Sequence, residues 1–120
     1  MSTLSIATLD NRTTFMPGEE LIGVAGWQLA EKPKCVELRL FWFTRGKGSE
    51  DSGVVATQTF EDAQAEEGRQ FQFRLPESPY SFSGKLISLV WALELIVKPG
   101  NAVERLEITV APEAREVLLK

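Results

Sequence analysis

The sequence contains no histidine and a single cysteine, Cys35. Those two scarcities remove Ser-His-Asp and Cys-His nucleophile systems, imidazole acid–base chemistry, and zinc sites built on Cys/His pairs. Cys35 has no partner for an intrachain disulfide, so the composition asks for no oxidising compartment. Positive charge is also in short supply. Thirteen Lys and Arg against seventeen Asp and Glu leave a net charge of −4, the wrong sign for a domain whose main partner is nucleic acid or an anionic membrane surface. No apolar run approaches the roughly 20 residues that span a bilayer. The opening residues, from Met1 to Thr14, lack the basic leader and apolar stretch of a signal peptide. The expectation is a cytoplasmic, non-enzymatic chain with no cofactor, no metal, no nucleic-acid partner and no direct membrane insertion.

What is present points to one folded domain over residues 1–120. The chain is 43% hydrophobic and 25% charged, close to globular averages, and it is long enough to build a core without staples. The core is expected over about 3–110, with 111–120 as a C-terminal tail that docks, pairs with another chain or frays. Turn residues recur at short intervals: Asp10-Asn11, Pro17-Gly18, Lys32-Pro33, Gly46 to Gly53, Gly68, Pro76 to Gly84, Pro99-Gly100-Asn101 and Pro112. The runs between them alternate as half-buried strands do. In 34–43 the apolar phase is Val36, Leu38, Leu40 and Trp42; in 69–75 it is Phe71, Phe73 and Leu75; in 103–110 it is Leu106, Ile108 and Val110. Residues 19–29 place Leu21, Ala25, Trp27 and Leu29 on one face, with Gly23 and Gly26 thinning the strand as if another backbone passes close. Residues 53–60 alternate weakly. The run Leu86 to Val97 fits a strand and also a helical stripe, and periodicity alone does not separate the two.

The run Phe15-Met16-Pro17-Gly18-Glu19-Glu20-Leu21-Ile22-Gly23 resembles the opening motif of the arrestin-like β-sandwich, an aromatic followed by Pro-Gly-Glu, a hydrophobic position and Gly. Some fifty residues later, Phe71-x-Phe73-x-Leu75-Pro76, then Pro79-x-Ser81-Phe82-x-Gly84, then a strand carrying Trp91, is similar to that family's later motifs. The chain is likewise similar to the lobes of the retromer cargo subunit and of a bacterial sporulation-control protein. The resemblance implies an all-β, immunoglobulin-like antiparallel sandwich of about seven or eight strands, with 86–97 as a core strand. Fold roles follow for its residues. Pro17 presets the first central position of a turn and Gly18 takes the positive φ of the second; Pro76 and Pro79 keep 76–84 out of a central ladder, and Phe82 pins that crossover to the core. Arrestins carry two such lobes in tandem, and this chain presents one, so the interlobe hinge and phosphate-sensing switch have no counterpart residues here. Scaffold or adaptor work without catalysis is what the resemblance implies.

Candidate sites are sparse. The loop Thr44 to Gly53 has glycines with Lys47 and Ser49, yet the spacing is not that of a P-loop, and Glu50 with Asp51 falls short of a calcium cage. The acidic stretch Glu61 to Gly68 reads as a solvated loop. Trp27, Trp42 and Trp91 occupy interior phases. Phe41 and Phe43 sit on the opposite face, beside Glu37 and Arg39, and are either covered by another segment or part of a partner surface. With Arg45 and Lys47 they are the candidate partner-binding residues of a protein-interaction module. Sheet edges can take a strand from a partner or from a second copy. The alternative is a carbohydrate- or small-ligand-binding sandwich, which requires an exposed tryptophan. Cys35 reads as a partly buried hydrophobe at a strand start.

Overall fold

Two twelve-residue strands form the spine of the molecule. In this computed structural model, which describes residues 3–46, 51–83, 87–100, 102–112 and 117–118, β4 (Cys35–Gly46) and β8 (Ile87–Lys98) pair antiparallel along their whole length, from Cys35↔Lys98 to Gly46↔Ile87. β5 (Ser52–Phe60) flanks β4, and β9 (Ala102–Val110) flanks β8. The short β7 (Phe82–Ser83) shares that side of β8. Two further pairings are parallel: β2 (Thr14–Phe15) with β9, and β10 (Val117–Leu118) with β7. The tail thus docks on the sandwich at Val117–Leu118. Facing this large sheet is a three-stranded one, ordered β1 (Thr3–Thr8), β3 (Glu20–Gln28), β6 (Glu66–Arg74). Among the described residues seven strands have six residues or more, as the family resemblance implies.

The alternating phases meet in the middle. Leu21, Ala25 and Trp27 from β3, Val36, Leu38 and Leu40 from β4, Phe71 and Phe73 from β6, and Trp91, Leu93 and Leu95 from β8 make one buried cluster. The ambiguity of 86–97 has a structural reason. On β8 the second face is buried too at Ala92 and Ile96, and a strand covered on both faces loses its clean period of two. The weak alternation of β5 has another. Leu40 pairs with Ala56 but Phe41 pairs with Val54, so Val55 is bulged out and the phase flips there. Beyond the bulge Gly53 lies under the Trp42 indole, where an added Cβ would stand 2.8 Å from the ring.

The motif residues act as fasteners. Gly18 adopts φ +78° in a turn closed by the Glu19 N–H donating to Met16 O at 3.1 Å. The Glu19 carboxylate accepts the Met16 N–H at 2.9 Å and Arg12 Nη1 at 2.6 Å. Trp91 is fully buried, and its indole N–H donates to Pro79 O at 3.0 Å. The buried Ser81 hydroxyl accepts the Val110 N–H at 2.9 Å while the Ser81 N–H donates to Val110 O at 2.7 Å, tying the crossover to β9. Phe82 packs against the core edge; Gly84 lies outside the described residues.

The acidic stretch is not wholly the solvated loop expected. β6 begins at Glu66, so residues 66–68 are strand. Glu67 repeats the Glu19 arrangement: it accepts the Gln64 N–H at 2.8 Å, three residues back, and pairs with Arg69. Asp62 pairs with Lys32 at 2.7 Å. Opposite charges separated in sequence relieve the repulsion that the local run suggests.

The Arg12 hydrogen bond, then the Met16 N–H, hold Glu19 below the usual carboxylate range. Glu67 is held down by Arg69 and then by the Gln64 N–H. A carboxylate depressed on folding contributes stability above its unfolded pKa of about 4 and loses it as pH falls through the folded value. Urea midpoints are therefore expected to fall between about pH 5 and about pH 2. The E19Q/E67Q variant is expected to start lower at neutral pH and to lose less on acidification; equal acid slopes would remove these two groups from the account.

Candidate partner-binding face

Phe41 and Phe43 follow the outward phase of β4, so they lie on the outer face of the large sheet. Their rings stack with centroids 5.8 Å apart and planes 26° from parallel. Across the ladder they oppose Ala92 and Val90 of β8. Two guanidinium groups roof them. Arg105, arriving from β9, stands 5.1 Å from the Phe41 centroid and 5.2 Å from that of Phe43, while its Nε and Nη2 donate to Glu94 at 3.3 and 2.8 Å. Arg45 stands 5.3 Å from the Phe43 centroid and donates to Glu107 at 2.8 Å. Each cation thus shields an aromatic face while a carboxylate neutralises it, and both phenylalanines are left half-buried.

Of the candidate residues the structure brings Phe41, Phe43 and Arg45 together; Lys47 lies outside the described residues. Arg105, Glu94 and Glu107 were not among the candidates. Alternation places Arg105 and Glu107 on the outer phase of 103–110, but nothing local says which strand that phase meets. An open groove of about 640 Å³ runs past Phe41, Phe43, Arg45, Asp51 and Arg105. At its end the Thr44 hydroxyl accepts the Asp51 N–H at 2.8 Å.

Beside this face runs the β5 edge. Among the described residues β5 pairs only with β4, and its sequence, Ser52 to Phe60, contains no Asp, Glu, Lys or Arg. Val54 and the bulged Val55 are 61% and 41% exposed. The other edges differ. β1 lies along β9, with Cα atoms within 8 Å. Among the described residues β6 pairs only with β3, but its edge carries Glu67 and Arg69 on the core-facing phase, and Arg69 reaches back to donate to Glu61 O at 2.8 Å. Inward-pointing charge is a standard guard against strand addition.

The remaining candidates resolve plainly. Trp27 and Trp91 are buried, and the Trp27 N–H donates to Gln64 O at 2.7 Å. Trp42 is half-buried against the core. None of the three is exposed, so the ligand-binding alternative lacks the tryptophan it requires. Burial pushes the Cys35 thiol up, and Glu37 adds to this, the opposite of thiolate activation. Among the described residues no three Asp, Glu or Cys side chains converge as metal ligands, and no helix is long and apolar enough to cross a membrane.

The two facing sheets, the Pro17-Gly18 turn and the Pro79–Phe82 crossover define an arrestin-like β-sandwich. Among solved structures the chain is similar to Spo0M, a sporulation control protein from Bacillus subtilis, at TM-score 0.62 and 18% identity over 92% of this chain. The chain spans about half of that protein, 49% of its length. It is also similar to part of a β-glucosidase from Listeria innocua, at TM-score 0.50 and 15% identity, over 98% of this chain and 17% of the enzyme. At these identities the likeness is one of fold. No protein-family model matches the chain, and no curated protein matches it.

Proposed function

We propose that this chain is a non-catalytic protein-interaction module of the cytoplasm, which takes an extended segment of a partner along β5 and anchors it on Phe41, Phe43 and Arg45. The observation that carries this reading is the uncharged β5 edge lying beside an aromatic pair on an outer sheet face. Backbone groups of an edge strand supply affinity, and neighbouring side-chain pockets supply selectivity. Displacing Arg105 and Arg45 from the rings toward acidic groups of a partner would uncover the apolar anchor only on binding. A regulatory setting is in keeping with the fold's occurrence in a sporulation control protein.

The test is affinity capture from lysate with the wild-type chain beside F41S/F43S, each checked for folding by near-UV circular dichroism. Partners recovered by the wild type are expected to be lost with the variant. If every partner comes down unchanged, the anchor is wrong.

A further inference from the structure

We infer that the β5 edge is self-recognising: it takes β5 of a second copy, antiparallel, and joins the two large sheets into one continuous sheet across a two-fold axis. This rests on the reading of β5 as the interaction edge and names one partner for it. Each molecule carries a net charge of −4, so two copies meet favourably only where the approach brings no carboxylates together. β5 meets that condition along its own length, because Ser52 to Phe60 holds no charged residue. β6 does not meet it, since Glu67 and Arg69 occupy its inward phase, and β1, though uncharged, lies within 8 Å of β9 and exposes no large apolar side chain.

The exposed side chains select a register. The bulge sets two β5 residues against the single Phe41, leaving Val54 and Val55 in water. An antiparallel pairing that places Val54 opposite the partner's Val55 is symmetric. It covers all four valines at once, with Ser52 opposite the partner's Thr57 at its end. Isologous contacts of this kind close on themselves. The contact is small: nine residues a side is well under the roughly 20–30 of a standard interface. The association is accordingly weak and concentration-dependent.

Sedimentation equilibrium of the purified chain between about 10 µM and about 1 mM, the range suited to so small an interface, tests this. The wild type is expected to pass from monomer to dimer. V54K/V55K places like charges across the axis and is expected to weaken the dimer at least about ten-fold, with its circular dichroism unchanged. Gln70→Lys, on the exposed phase of β6, is expected to leave the dimer intact. A wild type that stays monomeric throughout overturns the inference, as does a dimer that V54K/V55K leaves untouched. Neither outcome touches partner capture, which is run at dilution and decides the interaction-module reading separately.

Discussion

Trp91→Ala is expected to lower the unfolding free energy by ~3–5 kcal/mol, a large share of the 5–15 kcal/mol typical of a whole domain. Trp91 sits at the middle of β8, fully buried, with Leu93 and Leu95 on the same inward phase. Its removal opens a cavity between strands paired on both sides, β4 and β9, and neither can relax inward without breaking register. Trp91→Phe separates packing from hydrogen bonding. It keeps most of the ring but leaves Pro79 O without its donor, which costs ~1–3 kcal/mol if that carbonyl stays dry. Guanidinium unfolding of the three proteins gives the comparison. A W91F variant as stable as the wild type would mean that the indole bond contributes nothing and that Ser81 and Phe82 hold the Pro79 crossover without it.

Gly23→Ala is the second. A single added methyl group would lie 2.2 Å from Ala7 O and 2.6 Å from Phe71 Cζ. One neighbour is backbone of β1 and the other a buried ring, so neither yields by a simple side-chain rotation. Overpacking of this sort costs ~1–3 kcal/mol or more, and the damage is expected to concentrate where β1 pairs with β3. Hydrogen exchange should show Thr3–Thr8 amides losing protection before those of β4 and β8. Adding Phe71→Leu removes one of the two clashes and is expected to recover part of the loss. Full stability in the single variant would show that the close approach is not maintained in solution.

Both substitutions fall on residues that the sequence itself marks, Gly23 as a thinned strand position and Trp91 as a core aromatic. Legibility followed from local periodicity. Where one face is buried and the other wet, as at Val36-Leu38-Leu40 or Phe71-Phe73-Leu75, alternation alone located the strand and its inward phase. It faded at β8, where the outer face is covered, and at β5, where the bulge reverses the phase at Val55. The Glu66 start of β6 was hidden because charged residues on an edge strand look like loop. The candidate face was half legible. Phe41 and Phe43 stand out as apolar residues on a polar phase, but Arg105 reaches them through a pairing between strands distant in sequence. Strand order is a property of the whole sheet, so no window along the chain displays it.

The inequality of the edges also sets a stoichiometry. A sheet open on both sides can add strands end to end without limit, as filaments do. Here β1 lies within 8 Å of β9 and the β6 margin is charged, so among the described residues β5 is the long edge that combines large exposed apolar side chains with no charge. On the proposed reading, addition at β5 stops after one strand. On the proposed reading a second copy and a foreign segment compete for the same place, so raising the concentration of this protein would reduce its capacity for any other partner on that edge.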